Sequence, residues 1–212
     1  RREKAQAVAG IVMANAAHQA FDTLGVTFLL TPQFVVPDDW DEEQAITFTT
    51  RAFPVPDMEL DLESPIAAGE GETAEDAVRR ALRQRLHGTM PQALLDEATK
   101  ERREEFRGEL ASKGQTYREY RIEHGVKPAE VEERLEAEAR EALEEDIALD
   151  LVFMRKGLEA TEDDEFAALS RLKPGSEIEL KREFLETGHA CLFRQEARRG
   201  AAVRWAVENL VQ

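Results

Sequence analysis

Apolar positions along the chain change period twice, and each change predicts a different element. From Glu3 to Leu24 an Ala-rich stretch sets Val8, Val12, Ala16, Ala20 and Leu24 on one i+4 line with Ile11 and Phe21 beside it, the spacing of an amphipathic helix. Gly25 supplies its stop. Val26 to Leu30, Phe34 to Val36 and Ala45 to Phe53 are then rich in β-branched and aromatic residues. Pro32, Pro37 and an acidic turn from Asp38 to Glu43 separate them, which predicts short strands. In the last run Ile46 and Phe48 alternate with Thr47, Thr49 and Arg51, so one strand face is apolar and the other wet. Pro54 and Pro56 demote the following stretch to an extended edge, in which Met58, Leu60 and Leu62 alternate with Glu59, Asp61 and Glu63. Ser64 to Gly71, with Pro65, Gly69 and Gly71, reads as a linker.

Beyond Gly71 the helical period takes over and no strand is expected. Thr73 with Asp76, Thr116 with Glu119, Thr161 with Asp164 and Ser176 with Glu179 have capping-box spacing, and Pro91 and Pro128 suit a first helical turn. The predicted helices run from Ala74 to Leu86, Pro91 to Ser112, Tyr117 to Glu123, Pro128 to Lys156, Glu162 to Leu172 and Glu177 to Glu186, with one or two more reaching Leu210. The fold class is therefore mainly α with a small α+β part. Residues 1–64 form a partial α+β domain, 65–72 a linker, and 73–212 an elongated multi-helix body.

Charge narrows the partners. A formal net charge of -16 over 212 residues repels a phosphate backbone unless basic residues are segregated. Arg79, Arg80, Arg83 and Arg85, and again Arg194, Arg198, Arg199 and Arg204, stand at helical spacing among acids, the pattern of solvated, salt-bridged faces. Nucleic acid is not an expected partner, and neither is a membrane, since no stretch of about 18 apolar residues occurs. Cys191 is the sole cysteine and sits among Ala190, Leu192 and Phe193, as a buried thiol would. The first residue is Arg1 rather than Met, so a leader or other residues upstream are left open.

Groups able to do chemistry are scattered. His18, His87, His124 and His189 are isolated, and there is no His-Glu-x-x-His zinc motif, phosphate loop or Gly-x-Ser-x-Gly elbow. The acids from Glu130 to Asp146 lie all around one helix without the loop geometry calcium takes, so no metal and no cofactor are assigned. What stands out instead is apolar surface. The same helix carries Val131, Leu135, Ala139, Ala142 and Leu143, then turns nearly continuous from Ile147 through Leu151, Val152, Phe153 and Met154. Such a segment is either core or surface offered to a partner.

Met90-Pro91, Gly114, Tyr117 with Tyr120, the run from Glu130 to Met154 and the restart from Glu159 to Glu165 follow one another in the order of a known pattern. The segment resembles the carboxy-terminal domain of bacterial trigger factor, and the likeness extends more weakly from Pro174 to Leu210. The amino-terminal part, ending in Val55-Pro56-Asp57-Met58-Glu59-Leu60, resembles the second half of that family's ribosome-binding domain. The family's docking loop, of the form Gly-Phe-Arg-x-Gly-Lys, is absent from these residues, and only the linker near Ser64 to Gly71 stands where the prolyl-isomerase module usually lies.

The resemblance implies a non-enzymatic, ATP-independent chaperone of the cytoplasm, with the periplasm left open. Its partners would be unfolded or nascent polypeptides, held weakly and at many points in a helical cradle. It would meet the ribosome only through residues outside this chain, and a homodimer is left open. Met90, Leu94, Phe106, Leu110, Tyr117, Tyr120, Val152, Phe153 and Met154 are the expected peptide-binding residues. The rival readings are a dedicated assembly or export factor for one folded partner, and a prolyl isomerase with residual activity.

Overall fold

The structure, a computed structural model, describes residues 2–35 and 47–212. The expected acidic turn from Asp38 to Glu43, with Val36, Pro37, Ala45 and Ile46, lies outside the described residues. In chain order the elements are α1 (Arg2–Leu24), β1 (Gln33–Val35), β2 (Thr49–Arg51), β3 (Glu59–Leu60), α2 (Ala74–Gln84) and β4 (Leu86–His87). There follow α3 (Gln92–Ser112), α4 (Tyr117–His124), α5 (Pro128–Lys156), α6 (Glu162–Leu172), α7 (Glu177–Thr187) and α8 (Ala190–Leu210). The mainly α reading with a small α+β part holds.

Cap chemistry explains why the helices begin where they do. Thr116 with Glu119 and Thr161 with Asp164 form complete capping boxes at α4 and α6, and the Thr73 hydroxyl accepts from the Asp76 N–H at 3.1 Å to start α2. Ser176 makes no such bond. Instead the Glu177 carboxylate accepts from the Gly175 N–H at 3.0 Å and turns the chain into α7. Two strands depart from expectation. Leu86–His87 leaves the helical path and pairs antiparallel with Glu59–Leu60, a long-range pairing that local periodicity cannot reveal. Val26 to Leu30 forms no strand: it contributes the bridge Phe28↔Pro54 and bends at Leu29 and Leu30.

The 29 residues of α5 span roughly 43 Å and are the axis of the body. At its start Val131 and Leu135 pack with Phe106 and Leu110 of α3 beneath α4. Midway, Ala139, Leu143, Ile147 and Leu151 meet Leu94 and Leu95 of α3 together with Leu29 and Met58. At its end Ala148, Leu149 and Val152 join Val78 and Leu82 of α2 and Ala202, Val203 and Ala206 of α8. Residues of the expected linker take part in that last cluster: Ile66 is buried, its N–H donates to the Leu210 carbonyl at 2.7 Å, and Leu62 lies beside it. A smaller cluster of Leu169, Ala190 and Phe193 joins α6, α7 and α8.

On α1 the expected apolar line points outward from Val12 to Leu24. Val12 and Leu24 are 61% and 72% exposed, and Ala16 and Ala20 also face solvent, whereas Ala9, Met13, Ala14 and Ala17 are buried. The small side chains allow a close approach: a side-chain carbon at Gly188 would stand 2.9 Å from the Ala14 β-carbon.

Candidate functional site

The structure gathers the expected peptide-binding residues into three groups, in which four are buried, four half-buried and one exposed. Phe106, Leu110, Tyr117 and Tyr120 lie together at the far end of the α3–α5 hairpin. The first two are buried and the tyrosines half-buried. The Arg134 guanidinium stacks over both Phe106 and Tyr120, at 5.1 and 5.5 Å from the ring centroids, and donates to the Tyr120 hydroxyl at 2.6 Å. His124 stacks on Tyr120, with ring centroids 4.2 Å apart. These aromatics are held in place by one another.

Leu94 is buried and Met90 half-buried in the middle cluster. Val152 is fully buried beside α2 and α8, and Phe153 packs half-buried against the same cluster. Met154, at 48% exposure, turns to solvent. Leu94, Phe106, Leu110 and Val152 therefore present no free surface in this structure. A continuous apolar run cannot show from sequence which of its sides is covered, because that depends on where α2 and α8 pack.

Other large apolar side chains stand in solvent where the sequence reading named none. On α7, Leu180 and Phe184 pack inward against Leu169 and Phe193, while Ile178 and Leu185, seven residues apart and so on one face, are 77% and 45% exposed. Phe166 and Leu172 on α6 are exposed as well, as is Ile122 on α4. The signal was present in the sequence: the α7 pattern is apolar on two faces, more than one packing surface can cover. These side chains sit on elements that are themselves anchored. The Lys181 ammonium donates to Glu165 at 2.6 Å and ties α7 to α6, and a close Arg204–Asp164 ion pair ties α6 to α8.

Titratable groups are spent on structure. Arg79 pairs with Glu145 at 2.6 Å, Arg80 with Glu72 at 2.8 Å and Arg83 with Glu141 at 3.2 Å, so the first arginine cluster is the salt-bridged face its spacing predicts. Arg80 together with the Gly69 N–H draws the Glu72 carboxyl down to about 2. The second cluster differs. Arg199 is buried on α8, not solvated, and meets Asp146 at 3.0 Å and the fully buried Asp150 at 3.3 Å, both on α5. Burial pushes Asp146 up to about 7 against the pull of Arg199, and raises Asp150 likewise. The Cys191 thiol is buried and raised by desolvation, as befits an inert side chain. No group of acids, histidines and cysteine fit to hold a metal occurs among the described residues.

Charged groups are largely absorbed in inter-helix pairs, and large apolar side chains are left over on anchored helices. The family described as bacterial trigger factor protein C-terminus matches residues 59–208, and the chain belongs to that family. Comparisons with curated proteins and with solved structures give no match. The match covers the helical body from β3 almost to the end of α8.

Proposed function

We infer that the chain is an ATP-independent chaperone that binds unfolded or nascent polypeptides through apolar patches on its helical body. The observation that carries this reading is α7, which leaves Ile178 and Leu185 in solvent after its inner face is packed. Family membership supports it. Each contact is modest, because burying one large apolar side chain contributes about 1.5–3 kcal/mol and ordering the client offsets much of that. Binding is therefore multivalent and reversible. The acids that surround these patches keep the complex soluble.

The client surface combines Met154 with Phe166, Leu172, Ile178 and Leu185, and the half-buried Met90, Tyr117, Tyr120 and Phe153 extend it. The reading is of a binding protein rather than an enzyme, working in the cytoplasm, without cofactor, metal or nucleic acid. No helix among the described residues is long and apolar enough to cross a membrane. The test is light scattering of several unrelated denatured proteins diluted into buffer with the chain and no nucleotide. Suppression of aggregation for all of them is expected. A requirement for ATP, or protection of a single client, overturns the reading in favour of a dedicated factor.

A further inference from the structure

Residues 27–30 are seated on the helical body in a manner that depends more on their backbone than on their sequence. Leu29 and Leu30 enter the cluster of Leu94, Leu95, Leu143 and Ile147, an apolar groove between α3 and α5. Side chains of α8 read the carbonyls: Gln195 Nε2 donates to Phe28 at 3.1 Å and Arg199 Nη2 to Leu29 at 3.5 Å. On the other edge, the Leu29 N–H donates to the Phe53 carbonyl at 2.9 Å, and the Val55 N–H to that of Thr27 at 3.2 Å. Apolar pockets for side chains combined with hydrogen bonds to the main chain are how extended polypeptides are bound with little regard to sequence. The donors are fixed in advance, since Gln195 and Arg199 are buried and Arg199 is held by Asp146 and Asp150.

The groove is longer than the segment that fills it. Beyond Leu30 it continues between α3 and α5 as an open cleft of about 160 Å³, in which Ala98, Ala139, Ala142 and Leu143 are joined by the charged side chains of Glu101, Arg102, Glu105 and Asp146. The three alanines leave room for side chains from outside.

We propose that this groove is a client site: an apolar segment of an unfolded polypeptide takes the place of residues 27–30 and runs on into the cleft, past its alanines and the acids beside them. Residues 27–30 act as a tethered competitor, so the site opens only to a segment that fills the pockets better than Leu29 and Leu30 do. The inference rests on the chaperone reading and adds to it a defined groove and a resident occupant.

Amide hydrogen exchange on the full chain, with and without saturating reduced carboxymethylated lactalbumin as a permanently unfolded probe, is the test. The Leu29 and Val55 amides are expected to lose protection by about tenfold or more on binding while α8 amides keep theirs. Probe binding with those two amides unchanged or further protected overturns the groove and leaves the chaperone reading intact. No binding at all removes both. Two variants give a second readout by affinity. Leu29→Ala weakens the competitor without altering the groove, and is expected to tighten probe binding by about tenfold or more. Ala142→Glu, at an exposed helical position, fills part of the open cleft and adds a carboxylate to Glu101, Glu105 and Asp146, and is expected to weaken binding severalfold at an unchanged melting temperature. Unchanged affinity in both variants overturns the proposal.

Discussion

Asp146 and Asp150 face the same guanidinium from one turn apart on α5, yet burial raises both carboxyls, which makes folding stability depend on pH near neutrality. A carboxyl whose folded value stands at about 7 against an ordinary 3.8 binds a proton in the folded state that the unfolded chain releases between those limits. Stability therefore falls as pH rises through that window and levels off above it, with a slope of up to about 1.4 kcal/mol per pH unit. Thermal melts from pH 5 to 8 are expected to show that fall in the parent chain and a shallower one, carried by Asp150, in Asp146→Asn; equal slopes in both refute the assignment. Glu72 has the opposite sign. Its stabilisation is present above its ordinary 4.5 and disappears as pH falls towards 2, so Glu72→Gln removes a step from the acid limb alone. Gly188 is a steric case. At φ +75° and 2.9 Å from Ala14, Gly188→Ala is expected to cost about 1–3 kcal/mol in chemical denaturation. Ala14→Gly in the same chain should return part of that cost by removing the clash.

Among the elements, α7 and the end of α5 separate binding from packing. Ile178→Ser with Leu185→Ser removes apolar side chains from solvent, so aggregation suppression is expected to weaken severalfold with melting unchanged. Val152→Ser places a hydroxyl in the α2–α5–α8 core and loses apolar burial, which should cost about 1–3 kcal/mol while the folded fraction still protects clients. Melts and scattering on the same samples decide; a Val152 variant that folds normally and fails to protect clients would place that residue in the site. Helix starts were legible in the sequence at α4, α5 and α6 because a capping hydroxyl, a first-turn proline and a glycine stop act within a few residues of one another. The outward face of α1, the β3–β4 pair and the burial of Arg199 were not. Each is decided by a partner distant in sequence: α1 is turned by the approach of Gly188, β4 by Glu59–Leu60, and Arg199 by Asp150, a buried acid that helical spacing alone does not set apart from its solvated neighbours. Surplus apolar area on helices was legible in kind, but its exposure on α6 and α7 was not, because packing of α2 and α8 decides that Val152 is covered while Phe166, Leu172, Ile178 and Leu185 are left in solvent.

Across the whole molecule, α5 passes through three apolar clusters in succession, and this arrangement has a mechanical consequence. The hairpin end of α3, α4 and the start of α5 rest on Phe106, Leu110, Val131 and Leu135, with Arg103–Glu132 at 2.8 Å and Arg102–Glu138 at 2.9 Å as the cross-links further along. The other end is joined to α2 and α8 and to the chain terminus through Ile66. A helix that supports separate clusters can lose one without losing the rest, provided the intervening turns hold. Leu135→Ala and Leu149→Ala remove equal side chains from the two ends, each at about 2–5 kcal/mol. Hydrogen exchange on the first is expected to show amides of α4 and early α5 deprotected while α2 and α8 stay protected. The second should lower protection in α2, α5 and α8 together, because it opens the cluster in which all three meet. Uniform loss of protection in Leu135→Ala would mean that the hairpin folds and unfolds with the body as a single unit. A hairpin that opens by itself can spread around a client of unknown size and release it without the body unfolding. The measured spread of protection along α5 therefore tests whether the long helix serves as a rigid strut or as a hinge between a fixed core and an adaptable end.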